Sequence, residues 1–434
     1  MTKLGSEIAL ITKTRTQNQG NQALSTAWRN YLSVRYPEAR VRLFDRAPKY
    51  LKRHTVSAIA AKDDPIDEFD GIARAHLQRM PTDPGLDPSV WEVQHDPTQQ
   101  QVVKFRGLRQ MLRLRSRLAS FSIGADDYFR RLRHITSSDL VVINPAGEFQ
   151  QDATDTALHY LLETRCAQLA GCRTAFVNLS FEVTDPTVIR LSNHVFAACD
   201  VLEFRDNESQ EYFAQNGGAR EALVLADGAT LSLLERPVHR GGRGLALAIN
   251  ALQVHEHGLS EKWDGVIDEL ARMGPVTLTS NEWTTDHPFW KRYLEQPGIT
   301  CDGRFLDYEG YAKFLAEFDV VVSSRLHTCV LGLVAGAAVV PVETGTFKLT
   351  GFFNRIGMPN EPLRMNEEDW RQRLVERIKT VLAQREDRVR LQDAHLAAAR
   401  AALKEGLDTL FTPSLIQPGD LRRHSDADAL GEVP

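Results

Sequence analysis

The chain lacks a long uninterrupted hydrophobic run. Its most apolar stretch, residues 329–342, is broken by Gly332, Gly336 and Pro341, and it falls short of the roughly 20 residues that a membrane-spanning helix needs. Near the start only Ile8-Ala-Leu-Ile11 is apolar. That is too short for the core of a signal peptide, so the expected location is cytoplasmic. Cysteine is scarce: Cys166, Cys172, Cys199, Cys301 and Cys329 are scattered and form no C-x-x-C pair, which points to free buried thiols. Positive charge is not in excess, with 52 Lys and Arg against 57 Asp and Glu and a net charge of −5; a nucleic-acid partner is not expected. H-E-x-x-H, G-x-S-x-G, P-loop and D-x-D patterns are missing from any plausible place. Zinc proteolysis, serine hydrolysis, NTP hydrolysis and the usual metal-dependent glycosyl transfer therefore lose support.

What is present is ordinary in amount and ordered in arrangement. Hydrophobic residues make up 42% and charged residues 25% of 434 positions, and a chain of this length exceeds the ~250–300 residues at which a single core stops growing. Two domains are expected. Short apolar runs alternate with helical spacing from end to end, the signature of parallel sheets covered by helices. The spacing predicts strands over 7–13, 40–45, 139–144, 174–178, 201–206 and 222–227, then a linker over 236–243 where Pro, Gly and charge mix without period. Strands resume over 245–249, 276–279, 299–305, 318–323 and 338–342. We expect a first domain over 1–235, a second over 244–365, helices over 366–411 packing back across both, and a flexible tail over 412–434. The fold class is α/β, with two Rossmann-like domains facing across a cleft.

Between residues 47 and 133 the rhythm disappears. Asp63-Asp-Pro-Ile-Asp-Glu-Phe-Asp70 is acidic, and Pro81, Pro84, Pro88 and Pro97 punctuate what reads as an inserted irregular loop. A helical part of this insertion, residues 105–121, carries Leu108, Met111, Leu112, Leu118 and Phe121 at helical spacing among arginines. Two readings stand: a helix solvated on its domain, or one making peripheral contact with an anionic membrane surface such as the inner face of the cell membrane.

Polar residues gather where the strands end. Strand 318–323 leads into Ser324-Arg-Leu-His327 at a helix start, where backbone N–H groups are unpaired and the dipole is positive; Thr346 and Lys348 follow the next strand. The first domain offers Asn18 and Asn21 after its first strand, Glu148 after 139–144 and Arg205 after 201–204. Each has a plain structural alternative: Asn18 and Asn21 can cap a helix, Arg325 can pair with Asp319, Arg205 with Asp206, and His327 can be a packed histidine. Taken jointly across a cleft, two arginines, a lysine and a histidine suit a small, multiply anionic substrate with a proton donor beside it.

These residues resemble a known family, the polysaccharide pyruvyl transferases, whose two-domain fold is like that of the GT-B glycosyltransferases. Ser324-Arg-Leu-His327 with Lys348 is similar to the family's S-x-R-L-H helix start and downstream lysine. Phe204-Arg-Asp-Asn-Glu-Ser209 resembles its R-D-x-x-S turn, with Ala226-Asp-Gly228 after it. Asn18-Gln-Gly-Asn-Gln-Ala-Leu24 resembles its N-x-G-D-x-A-L loop, and Val141-Val-Ile-Asn-Pro-Ala-Gly147 stands where the family has a strand and paired glycines. Asn21 replaces an acidic residue of the pattern and Pro145-Ala146-Gly147 the glycine pair, both in the half expected to bind acceptor. The resemblance implies transfer of a pyruvyl group from phosphoenolpyruvate to two hydroxyls of a sugar or glycan, one that is lipid-linked being an option, to form a ketal. No metal or cofactor is demanded.

In that reading Arg205, Arg325, Lys348, Ser324 and Thr346 hold the donor and His327 protonates it. Asn18, Asn21 and Glu148 meet the acceptor, with Glu148 or Asp152 as base. His327→Ala and Arg325→Ala are each expected to abolish turnover with the fold intact. The rival readings are a GT-B-like glycosyltransferase using a sugar nucleotide, with Glu343 near the ribose, and a glycan-binding protein without activity.

Overall fold

The computed structural model describes residues 6–14, 16–46, 59, 64–83, 85, 87, 89, 127–150, 154–232, 241–256, 258–293, 295–304 and 306–416. The basic helix expected over 105–121, Asp152, most of the linker and the tail beyond Ile416 lie outside these residues.

Two six-stranded parallel sheets carry the described part of the chain. The first comprises β1 (Glu7–Thr12), β2 (Arg40–Phe44), β3 (Leu140–Asn144), β4 (Arg173–Leu179), β5 (Val201–Phe204) and β6 (Leu223–Val224), in the order β2-β1-β3-β4-β5-β6. The second comprises β7 (Leu245–Ala248), β8 (Val276–Leu278), β9 (Ile299–Cys301), β10 (Val320–Ser323), β11 (Ala338–Glu343) and β12 (Leu363–Arg364), in the order β12-β11-β10-β7-β8-β9. The apolar runs of β1, β3, β10 and β11 are buried along nearly their whole length because helices cover both sheet faces. In each sheet the order reverses once, between β1 and β3 and between β7 and β10. At such a point the crossover helices leave on opposite faces and open a crevice at the strand carboxyl ends.

The two halves share one apolar core. Ala23, Leu24 and Trp28 of the helix Gln19–Arg35, Val330, Leu331 and Val334 of the helix Leu326–Val334, and Leu396, Leu403 and Leu407 of the helix Arg385–Leu410 belong to a single buried cluster. The last of these helices returns to the first domain, where Phe411 packs on Trp28 and Tyr31 with ring centroids 5.9 and 5.8 Å away. Arg35 Nη2 donates to the Asp408 carbonyl at 3.0 Å, and Tyr36 Oη to that of Thr412 at 3.0 Å. The packing runs on through Leu415, which is buried. An apolar seam of this kind limits relative motion of the domains. No helix among the described residues is long and apolar enough to cross a membrane.

Two local expectations are corrected. The acidic stretch read as loop is the start of a helix, Pro65–Gln78: the Asp64 carboxylate accepts the Ile66 N–H at 3.0 Å and proline stands at the first helical position. Asp followed by Pro is a helix start as well as a loop signal, and buried Phe69 and Ala73 decide between them here. Asp70 of this helix is forked by Arg165 at 2.7 and 2.6 Å. The strand expected over 222–227 is only β6, because Asp227 turns the chain into a 3-10 turn, Gly228–Leu231. The helical run expected over 366–411 divides at Gln384, where φ is −125° and ψ 31°, into the helices Trp370–Ala383 and Arg385–Leu410.

The turn after β3 keeps a glycine-like backbone without the glycine. Glu148 N–H donates to the Pro145 carbonyl at 3.1 Å, and Ala146 between them has φ 52°, a left-handed conformation that costs an L-residue roughly 1–2 kcal/mol. Ala146→Gly should therefore raise stability by about 1 kcal/mol in urea titration; a loss of stability would show the side chain to matter more than the strain.

Candidate active site

The crevices of the two sheets face each other and form one cavity of about 180 Å³. Asn18, Asn21, Glu148, Arg205, Ser324, Arg325, His327, Thr346 and Lys348 all line it, joined by Lys13, Asn250, Gln253, Asn281, Glu282 and Glu343. Apart from Asp152, which lies outside the described residues, the structure brings together every site residue anticipated from sequence, but it uses them differently from one another.

Asn18 is a helix cap. Its Oδ1 accepts the N–H groups of Gly20 and Asn21 at 3.0 and 3.2 Å and the Asn281 amide at 3.1 Å, and its Nδ2 donates to Glu282 at 3.2 Å. These last two contacts tie the first domain to the loop after β8. Asn21, one turn on, has no hydrogen bond to its side chain among the described residues and borders the cavity. Each Glu148 oxygen meets a cation, Lys13 at 3.1 Å and Arg46 at 3.3 Å.

Arg325 is structural to a degree not expected. Its Nε donates to Asp286 Oδ2 at 3.0 Å, its Nη2 to Asp286 Oδ1, and its Nη1 to Glu282 at 2.9 Å. Burial works against the guanidinium charge, but the two carboxylates more than offset it and raise the pKa above its ordinary value. Asp286 is fully buried and also accepts the Ala251 N–H at 3.0 Å. The partner is therefore Asp286 rather than Asp319, which instead accepts the N–H groups of Gly242 and Gly244. Ser324 Oγ is likewise engaged, accepting the Asn250 N–H at 2.7 Å.

The cationic groups left to the cavity are elsewhere. Arg205, buried at the end of β5, donates from Nε to Ser180 at 2.6 Å and from Nη1 to Asp227 at 2.9 Å, with Asp206 farther off at 3.9 Å. Its Nη2 turns toward Gly147 in the cavity, where a Cβ would lie 3.5 Å from Nη2 and 3.1 Å from Lys348 Nζ. The nearest group at that point is the Gln150 amide, whose Nε2 would lie 2.5 Å from such a Cβ and donates to the Gly147 carbonyl, with the two cations beside it. Lys348 Nζ has no carboxylate partner or hydrogen bond among the described residues. Burial drives its pKa down to about 7, and the Arg205 charge pushes the same way. Thr346, half-buried, stands beside it on the cavity wall.

His327 reaches across the domain boundary. Its Nε2 is buried and 3.7 Å from Asp227 Oδ2, an ion-pair distance too long for a hydrogen bond. Its ring occupies the space over Gly20: a Cβ there would come within 2.0 Å of Cγ and Nδ1. Burial alone would raise the Asp227 carboxyl. The contact with His327, the Arg205 charge and the Ala229 N–H outweigh burial and hold it well below the usual carboxylate range.

Asp227, Asp286, Glu282 and Asn281 carry much of this geometry without having been assigned a role from sequence. Ser280-Asn-Glu282 follows β8 as the other loops follow their strands, so the rule that found those loops could have found this one. Asp286 lies inside a helix, Trp283–Trp290, and carries no such signal.

Two parallel doubly wound sheets facing across a cleft define a GT-B-like protein. The fold is similar to the S. aureus MnaA-UDP co-structure (10% identity, TM-score 0.52, covering 96% of this chain and 100% of that one). It is also similar to the trehalose-6-phosphate synthase OtsA (11%, 0.53, 94% and 99%) and to an α,α-trehalose-phosphate synthase (UDP-forming) from Burkholderia vietnamiensis (12%, 0.51, 97% and 99%). No curated protein sequence matches. The family model for polysaccharide pyruvyl transferase matches residues 18–346, and the chain belongs to that family. It is a transferase, and its family implies a sugar or glycan acceptor.

The Arg325 contacts with Asp286 and Glu282 give its removal a structural cost as well. Arg325→Ala strands Asp286 as an uncompensated buried charge and should cost about 3–5 kcal/mol, read as a lower urea midpoint; an unchanged midpoint would return Arg325 to a purely catalytic role.

Proposed function

We propose that the cavity binds phosphoenolpyruvate and transfers its pyruvyl group to two hydroxyls of a sugar, forming a ketal and releasing phosphate. The observation that carries this reading is the pair Lys348 Nζ and Arg205 Nη2, which flank Gly147 beside the Gln150 amide, with His327 on the same cavity. Two cations over one small space suit a compact ligand bearing both phosphate and carboxylate. At about 180 Å³ the cavity is below the ~300–1,000 Å³ typical of larger organic ligands, which favours a three-carbon donor over a sugar nucleotide. Glu343, the acid that a sugar nucleotide would want at its ribose, spends its carboxylate on the N–H groups of Leu349 and Thr350 at 3.4 and 2.6 Å.

In this mechanism His327, charged and facing Asp227, gives its proton to the methylene carbon of the donor. The adjacent carbon becomes cationic, and Arg205 and Lys348 hold the phosphate and carboxylate while it does. One acceptor hydroxyl adds to that carbon and loses its proton to a base, for which Glu148 is the described candidate. The carbon–oxygen bond to phosphate then breaks, and the second hydroxyl adds with loss of its proton to close the ring. Asp227, 3.7 Å from Nε2, orients the ring before transfer.

Phosphoenolpyruvate should raise the melting temperature, since only the folded state binds it; stabilisation by nucleotide sugars and none by phosphoenolpyruvate would favour a glycosyltransferase. His327→Ala should lower turnover by at least ~10²-fold while that stabilisation persists. Affinity for phosphoenolpyruvate should depend on the Lys348 proton. A lysine whose pKa is pushed down to about 7 is charged below that pH and neutral above it, and a bound anion restores the charge. The Kd should therefore rise about tenfold per unit as pH climbs above 7. Lys348→Arg, charged throughout, should remove the slope; a flat profile in the unaltered protein would take Lys348 out of the donor site.

A further inference from the structure

A second cavity, of about 520 Å³, adjoins the first and shares Glu343 and Thr346 with it as common walls. It is lined by Glu182 after β4 of the first domain and, from the second, by Phe347 and Thr350 after β11 and by exposed Arg364 and Asn366 at and after β12. These are again loops at strand carboxyl ends, the edge of a parallel sheet on which ligands are bound. None of the acceptor candidates expected from sequence lines it.

We propose that this cavity is the subsite for the acceptor, and that it takes a neutral pyranose ring. The inference rests on the pyruvyl-transfer reading of the smaller cavity. Size is the first argument. The smaller cavity has about 180 Å³ for donor and acceptor together, whereas the adjoining one falls inside the ~300–1,000 Å³ range of organic-ligand sites at about 520 Å³. Occupancy is the second. Asn18 is spent on its helix cap and on the loop after β8, and Glu148, held by Lys13 and Arg46, is kept for the base role, so the end of the small cavity assigned to acceptor has only the Asn21 amide left to bind a ring of hydroxyls.

Chemistry is the third argument. Phe347 is half-buried on the wall and presents an aromatic surface to the apolar face of a sugar. Glu182, Thr350, Arg364 and Asn366 put acceptors and donors around it, the mixture that a hydroxyl, being both donor and acceptor, needs. Charge narrows the ligand further: Arg364 is matched by Glu182 and Glu343 is engaged by the Leu349 and Thr350 N–H groups, so the wall has no surplus of positive charge to hold a diphosphate and tolerates a neutral ring. The shared wall at Thr346 and Glu343 is where hydroxyls of a ring held in the large cavity reach a donor held in the small one.

The test uses the full chain with phosphoenolpyruvate present and methyl glycosides of glucose, galactose, mannose and N-acetylglucosamine as probes, followed by saturation-transfer NMR. The unaltered protein should bind at least one of them. Phe347→Ala should weaken that binding about tenfold, and Asn366→Trp, at an exposed position, should abolish it by filling the cavity. Affinity unchanged in both variants, or no glycoside bound by the unaltered protein, overturns the proposal. The melting-temperature response to phosphoenolpyruvate, recorded on the same samples, separates the two readings. Its absence in the unaltered protein counts against pyruvyl transfer, while its persistence in both variants shows that only the acceptor side has changed.

Discussion

The Asp227 carboxylate is the contact on which the rest of the site depends. It is buried at the end of the first domain, holds Arg205 of its own domain at 2.9 Å and faces His327 of the other at 3.7 Å. A carboxylate so placed stays ionised only because two cationic groups and the Ala229 N–H surround it, and in return it fixes where both cations can be. With Nη1 and Nε taken by Asp227 and Ser180, Arg205 has Nη2 left for the cavity. With Asp227 beneath Nε2, the imidazole lies against Gly20. One buried charge thus sets two groups from different domains, and it can do so only if the domains do not drift.

The apolar seam supplies that condition. Helices Gln19–Arg35, Leu326–Val334 and Arg385–Leu410 share a single core, so the two sheets are packed as one body, and the loop after β8 adds polar stitches to the Asn18 cap. Arg325 belongs with this scaffold. Its fork to Asp286 and bond to Glu282 anchor the helix start that presents His327, an indirect service to the chemistry. Lys348 is the opposite case: a cation in no close ion pair among the described residues, made less basic by burial and by Arg205 although Glu182 and Glu148 act the other way from farther off. An ammonium left in that state is costly unless an anion comes to it.

Much of this was legible in the chain. The strands most buried on both faces, β1, β3, β10 and β11, are apolar runs that could be nothing else, and the polar residues at their carboxyl ends were found because so little else there is polar. The helix Pro65–Gln78 was misread because Asp64-Pro65 signals a loop and a helix start equally, and only packing of Phe69 and Ala73 distinguishes them. The Ala146 turn was visible as a departure from the family's glycine pair, but its retained φ of 52° was not. A backbone held by neighbouring strands can impose a conformation that the side chain disfavours.

By itself the sequence determined the class of fold, the ends of the strands where polar groups collect, and the set of nine residues that meet at the cleft. These follow from local rules, period and strand-end chemistry, that do not depend on distant parts of the chain. Only the tertiary structure decided which of those residues are spent and which remain available. Asn18 is saturated by a cap and a loop more than 250 positions away, at Asn281 and Glu282, and Arg325 is held by Asp286. Arg205 Nη2 and Lys348 Nζ are left facing the cavity. Whether a cation is paired depends on what folding brings beside it, and for these residues the decisive neighbours are remote in sequence.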